Sequence, residues 1–518
     1  MTPLAGIVAV VAVSAVTIGI GAFGLRISRT TGDFYVASRT VGPVANASAI
    51  SGEYLSAASF LGVAGLVLTR GADSLWYPVG WTAGYLVLLV FVAAPLRRSG
   101  AYTLPDFAQL RVESRRARSV SSVLVVLIGV VYLVPQFQGA GLTLRSLTGA
   151  PPWVGEVTVA VVVLLIVASG GMRSITLVQA FQYWLKLVAL LVPACFLLVT
   201  WQRHRVPAAG RLDVADWVEP LGGPHGLYLT YSLILATFLG TMGLPHVVVR
   251  FYTNRDGRSA RRTTVAVLGL LSCFYLLPPV YGVLGRVYAF DLVRSGGGDS
   301  VVLELPSRVL GGSTGDLLTA VLGAGAFAAF LSTSSGLVVS IGGVVSQDLL
   351  SRRMEGVTAF RAASAAGALA TLGLTLASSG LAVAHAVELA FTVAASTFCP
   401  LLLLGIWWRR LTAAGAVAGL VVGGGLSTTA VLLTMFGAGP SGAPGAVVAQ
   451  PALVTVPLAF LVMVTVSLAT SPPPQVSRTM VRLHAPEHLA LDRGSYHPER
   501  RHELHREHHG GEPADEPA

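Results

Sequence analysis

Charge is scarce in this chain of 518 residues: only 12% are Asp, Glu, Lys or Arg, about half the share of an average soluble protein. That excludes an ordinary soluble enzyme. Cysteine is nearly absent as well. Cys195, Cys273 and Cys399 each stand alone inside an apolar run, with no paired spacing, which argues against disulfides and against thiolate metal sites. Lysine is the rarest basic residue, Lys186 alone against 34 arginines. The bias fits GC-rich coding, and Lys186 itself is expected to snorkel or to pair inside a helix bundle. The net charge of +10 sits in short gaps between long apolar runs. A nucleic-acid binder would not confine its basic residues in this way, so the charge reads as membrane topology.

What the chain has instead is hydrophobic residues, 53% of the total. A hydrocarbon core of about 30 Å needs about 20 apolar residues per helical span. Thirteen windows approach this length: Leu4–Leu25, Val44–Leu68, Leu75–Leu96, Val120–Leu144, Val154–Ser169, Ile175–Trp201, Leu227–Val249, Thr264–Tyr288, Leu317–Val345, Ala362–Leu376, Val383–Trp408, Ala413–Met435 and Pro451–Ala469. The first lacks a basic n-region, is long for a signal peptide and is followed by Arg26 and Arg29, so it reads as an uncleaved span. The odd-numbered gaps hold most of the arginines, including Arg97, Arg98, Arg111, Arg115, Arg116 and Arg118, then Arg250, Arg255, Arg258, Arg261 and Arg262. The positive-inside rule then places the N-terminus outside and the C-terminus in the cytoplasm, with the chain multi-pass in the plasma membrane. From Ser471 the sequence turns polar, with seven histidines between His484 and His509. Residues 471–518 read as a solvated cytoplasmic tail, disordered and without a fixed metal site.

Polar and helix-breaking residues inside spans mark cavities and partner helices. The second window carries Asn46-Ala47-Ser48-Ala49-Ile50-Ser51-Gly52-Glu53-Tyr54-Leu55-Ser56. The seventh carries Gly240-Thr241-Met242-Gly243-Leu244-Pro245-His246. They lie five windows apart, as expected if windows two to six and seven to eleven are inverted repeats whose first helices are both broken. The ninth window has Ala329, Ser332 and Thr333 spaced so that a carbonyl and two hydroxyls converge. Such neutral oxygens suit sodium, but they equally suit back-bonding within the helix. No HExxH and no nucleophile with its base falls in the spans, so an enzyme is not expected.

These residues resemble the sodium:solute symporters, and within them the cation–acetate branch. The likeness runs from Gly32-Asp33-Phe34-Tyr35 through the eleventh window. Its most specific parts are Glu53 to Gly62, Gly170-Gly171-Met172, Gly240 to Arg250 and Phe327 to Ser335, with Met480 to Glu487 near the end. The resemblance implies an all-α integral membrane protein with a LeuT-like core of two inverted five-helix repeats. The corresponding segments are 1–43 (an extra helix and first loop), 44–226 and 227–410 (the repeats), 411–470 (two further helices) and the tail. It also implies a sodium site at the carbonyls of Gly52, Leu55 and Ala329 and the hydroxyls of Ser332 and Thr333. Gln179 stands where proline and sugar carriers of the family have an aspartate, which puts a second, carboxylate-based sodium site in doubt. Glu53 stands where an aspartate is expected in acetate carriers.

The expected activity is cation-coupled import of acetate or a related short monocarboxylate. Another small solute, such as a different organic anion or a proline-like zwitterion, and a transporter-like sensor are the alternatives. Ser51, Gln136, Thr241 and Gly243 are the expected substrate contacts, with Gln138 a further amide in the fourth window. Glu53 and His246 are candidates for coupling, because both could titrate if protons rather than sodium drive transport. His385 and Glu388 read as a solvated pair near the outer end of the eleventh window. Beyond the coupling ion no cofactor is expected, and beyond the bilayer and the small solute no partner.

Overall fold

Backbone amides inside hydrocarbon have no water to bond, so each span must close its hydrogen bonds within itself. The computed structural model describes residues 3–25, 41–204, 225–350, 354, 356–378 and 382–485, and these contain helices and no strand. The expectations placed on Gly32–Tyr35 and on the histidine-rich stretch after residue 485 lie outside the described residues.

Helix α1 (Pro3–Leu25) precedes the broken second window. There α2 (Pro43–Tyr54) stops, a wide π turn covers Ala58–Gly62, and α3 (Val63–Arg70) continues. Next come α4 (Trp76–Val87), α5 (Ala93–Ser99), α6 (Leu104–Val112), α7 (Arg115–Thr148) and α8 (Pro152–His204). The seventh window is α9 (Gly226–Gly243) and α10 (Pro245–Val249), separated by the extended Leu244. The remainder is α11 (Gly257–Tyr275), α12 (Leu277–Tyr288), α13 (Gly312–Val345), α14 (Gly356–Ala377), α15 (Val383–Trp407), α16 (Ala413–Met435), α17 (Ala452–Leu468) and the short α18 (Val476–His484).

Both expected breaks are present. The expected thirteen spans are not reproduced by length and apolarity: among the described residues ten helices qualify, or eleven if the pair Gly442–Ala449 and Ala452–Leu468, bent by 67°, is one span. The stretch Ala58–Ser99 turns only briefly between the second and third windows, and Pro152–Ala168 is short. The fifth and sixth windows share the single helical run α8, so the Gly170-Gly171 pair, expected in a gap, lies within a helix. The side chains of 169–173 lie outside the described residues. Part of the expected solvated tail is also helical: α18 buries Met480 and Leu483, and Arg98 donates to the His484 carbonyl at 3.2 Å.

Helices α13 and α15 bury 83% and 89% of their most apolar stretches, against 28% for α1. The first two are therefore the inner posts of the bundle and α1 faces outward. α13 packs against α7 and α8, and α15 against α9. At one end the arginine-rich gaps meet: Arg97 donates to the carbonyls of Asn254 and Arg255, Arg118 pairs with Asp348 at 2.6 Å, and Arg111 donates to the Gly405 carbonyl at 2.6 Å. Except for Gly405, which lies near the end of the eleventh window, these partners come from odd-numbered gaps.

At this end Asp256 caps α11, its carboxylate accepting from the Ser259 amide at 2.6 Å. That amide bond holds the carboxyl below the usual carboxylate range. A carboxylate with a depressed folded value stabilises above its unfolded value, about 3.9, and loses that contribution as pH falls through the folded value. Asp256→Ala should therefore cost about 1 kcal/mol at neutral pH, and the difference should vanish in acid. Thermal unfolding of both proteins across pH checks this.

Candidate substrate and cation site

α2 ends at Tyr54 because Leu55 leaves helical geometry, with φ −73° and ψ 88°. A helix that stops in the membrane interior leaves orphan carbonyls. Side chains from two other helices supply their donors. Thr333 of α13 donates to the Glu53 carbonyl at 2.6 Å, and Ser332 donates to the carbonyls of Gly52 at 2.5 Å and Ala329 at 3.3 Å. From α8, the Lys186 ammonium donates to the Gly52 carbonyl, to the Leu55 carbonyl at 2.8 Å and to the Ser332 hydroxyl at 2.6 Å. The chain therefore resumes on a capped break: the Ala57 amide donates to the Gln136 side chain at 3.0 Å.

The expected cation oxygens are thus brought together, and Lys186 lies among them. The expectation that Lys186 snorkels is corrected, since the residue is fully buried; pairing within the bundle is what it does. Gln136, expected to face substrate, has its carbonyl on Ala57 and its amide within 3.4 Å of the Tyr132 carbonyl. It holds the break.

Beside this cluster lies a buried ion pair. Arg250 Nε is 2.5 Å from the Glu53 carboxylate, and both side chains are essentially inaccessible. The same guanidinium donates to Thr176 at 2.9 Å and to Gln179, and Gln179 donates in turn to the Ser332 carbonyl at 2.8 Å. Helix α2 can approach α8 this closely only because residue 52 is glycine: a Cβ there would collide with the Gln179 carbonyl. At Gly336 of α13 a Cβ would collide with the Glu53 carboxylate.

Between the two breaks stands a group of aromatic rings. Tyr54 meets Tyr85 edge-on at 4.9 Å, Phe391 lies 5.7 Å from Trp81 and 5.8 Å from Tyr132, and Tyr132 meets His246 at 5.2 Å. The Tyr54 hydroxyl bonds Thr241 at 2.8 Å, and Thr241 donates back to the Thr237 carbonyl at 2.8 Å. Gly243 lies against α15, where a Cβ would strike the Ala394 carbonyl. Three buried donors on the helices that carry these rings, the Ser51 hydroxyl on α2 and Trp81 Nε1 and the Tyr85 hydroxyl on α4, have no acceptor within the described residues, and neither His246 nitrogen has a partner there. A chain rarely buries several donors unpaired without reason.

Two outlying expectations are placed as well. Gln138 reaches Ser378 at 3.2 Å. Glu388 is not half of a solvated pair: it is fully buried and accepts from Tyr77 and from Gln450, each at 2.8 Å, with His385 at 3.3 Å. Sequence reasoning did not assign Arg250 or Thr176 to the site. The signal for Arg250 was present, an arginine only a few residues beyond a break at membrane depth.

The model of the sodium:solute symporter family matches residues 34–423. The chain is 32% identical over 476 residues to an uncharacterized symporter, YwcA, of Bacillus subtilis strain 168, covering 87% of this chain and 91% of that one. It is 31% identical over 484 residues to a monocarboxylic acid transporter of Corynebacterium glutamicum, covering 84% and 87%. Among solved structures, a Na+-coupled sialic acid symporter in a substrate-bound outward-open state superposes with a TM-score of 0.67 at 15% identity, covering 90% of this chain and 98% of that one. The fold is therefore of the LeuT-like kind, all helical, and the relatives are transporters, not enzymes.

Proposed function

Because this chain belongs to the sodium:solute symporter family, we propose that it imports acetate or a related short monocarboxylate across the plasma membrane, coupled to a cation. The observation that carries this reading is the set of buried donors without acceptors among the described residues, Trp81 Nε1, the Tyr85 hydroxyl and the Ser51 hydroxyl, on the two helices, α2 and α4, that bring aromatic rings to the space between the breaks. An ionised carboxylate only accepts hydrogen bonds. Its small alkyl end suits the faces of Phe391 and Tyr132. Charge supports an anion too: the buried carboxylate of Glu53 is ion-paired to Arg250, while Lys186 hydrogen-bonds only neutral oxygens, so two buried cations face one carboxylate here and one positive charge is left to be balanced.

In this reading Ser51 contacts the carboxylate, while Thr241 and Gly243 position the second break and Gln136 the first. Gly52, Leu55, Ala329, Ser332 and Thr333 form the cation cluster, and Glu53 and His246 remain the coupling candidates. The arginine-rich end faces the cytoplasm, with the N-terminus outside. Alternating access comes from rocking of one repeat against the other around the fixed site.

The test is labelled acetate uptake into proteoliposomes containing only this protein, with an inward sodium or an inward proton gradient and ionophore controls. Concentrative uptake under either gradient is the expected result, and no uptake under both would overturn the acetate reading. Competition by propionate but not by proline is expected. Trp81→Phe keeps an aromatic face but removes the N–H and the pyrrole part of the indole, so it should raise KM about 10-fold or more, at least the equivalent of one hydrogen bond to a charged group.

A further inference from the structure

The five oxygens that the family resemblance assigns to sodium do not fit a free ion in this chain. Three of them, the Gly52 and Leu55 carbonyls and the Ser332 hydroxyl, accept from the Lys186 ammonium, and the Ala329 carbonyl accepts from Ser332; Thr333 spends its proton on the Glu53 carbonyl. Nζ lies within hydrogen-bond distance of three of them, so a sodium ion bound to the same oxygens would overlap it.

The geometry also identifies what Lys186 presents. Two of its three contacts are carbonyls, which only accept. The third is a hydroxyl whose own proton lies on the Gly52 or Ala329 carbonyl, so it too must accept from Nζ. Three contacts that all require donation match the three N–H bonds of an ammonium. The end of a broken helix, with unpaired carbonyls pointing outward, is the place in a bundle most favourable to a positive charge. A hard monovalent cation and an ammonium ask the same thing of such a site, a ring of neutral oxygens.

We propose that Lys186 is a tethered cation that permanently fills this position, so that the chain, despite its family, transports without binding sodium there. The inference deepens the transport reading and rests on it for its physiological meaning, but it concerns the cation cluster alone. Helix α8 brings the charge to the break, and Gln179, two turns before Lys186 on the same helix, holds the facing stretch of α13 by its bond to the Ser332 carbonyl.

The experiment uses the full chain with two readouts, acetate uptake and the melting temperature of purified protein, each with sodium or with N-methylglucamine in its place. For the unaltered protein, neither readout should change when sodium is withdrawn. A fall in uptake of about 10-fold or more, the equivalent of losing one charge-assisted contact, would overturn the proposal. So would a sodium-dependent rise in its melting temperature. Lys186→Ala frees the oxygens, and it should gain a sodium-dependent rise in melting temperature that the parent lacks. Lys186→Met, which fills the same space without charge, should gain none and should lose uptake. Lys186→Met with uptake equal to the parent would overturn the proposal. If neither gradient drives acetate uptake, the substrate reading fails, and the melting temperatures of the parent still decide whether sodium binds.

Discussion

Arg250→Ala is expected to destabilise the folded protein by about 3–5 kcal/mol, the usual cost of leaving one member of a buried ion pair uncompensated. Glu53 is buried with Arg250 as its ionic partner. The same guanidinium also binds Thr176 and Gln179, so three side chains on two helices lose a donor at once. The effect belongs to the broken pair and not to attraction alone. A double variant, Glu53→Gln with Arg250→Met, should therefore be markedly more stable than Arg250→Ala, because the carboxylate is removed together with the guanidinium that balanced it. Melting temperatures of the singles and the double in the same detergent, arranged as a double-mutant cycle, measure this. Equal destabilisation by Arg250→Ala in the parent and in a Glu53→Gln background would show that the pair does not act as one.

Gly52→Ala is the second large expectation. The added methyl would collide with the Gln179 carbonyl and come within 3.4 Å of the Tyr183 Cβ. Both belong to α8, and a carbonyl inside a helix cannot rotate aside as the end of a flexible side chain would. The helices must part instead, at a cost of about 1–3 kcal/mol for overpacking. Parting them moves the Gly52 and Leu55 carbonyls away from Lys186. Acetate uptake per folded molecule should therefore fall more than folded yield does. Gly19→Ala in α1, where a Cβ meets nothing within 4 Å, should leave both within about 0.5 kcal/mol or its equivalent. Uptake normalised to monodisperse protein separates the two effects.

The broken helices were legible in the sequence because their chemistry is local. Glycine, proline and a carboxylate at membrane depth each oppose a straight lipid-facing helix, wherever the rest of the chain lies. Convergence of Gly52, Leu55, Ala329, Ser332 and Thr333 was legible through resemblance joined to spacing. Lys186 was not, since a lone lysine in an apolar helix looks the same whether it reaches the interface or the interior. The difference is made by partners 131 to 146 residues away. Gln136 illustrates the same limit: an amide in an apolar helix can serve a solute or a backbone, and only the position of Ala57 decides. The count of thirteen is not confirmed for another reason. Window counting assumes that each crossing ends in a polar gap, while α8 passes through Gly170-Gly171 without leaving helical geometry.

The contact between the α8 side chain and the end of α2 also has a kinetic meaning. An ion arriving from solution fills a site at a rate proportional to its concentration and leaves through a pathway. A charge on a four-carbon tether does neither. It is held there at an effective concentration in the millimolar range or above, set by the length of the side chain and the separation of α2 from α8. Occupancy of this position should thus be a property of the protein's own mechanics, indifferent to the salt on either side of the membrane.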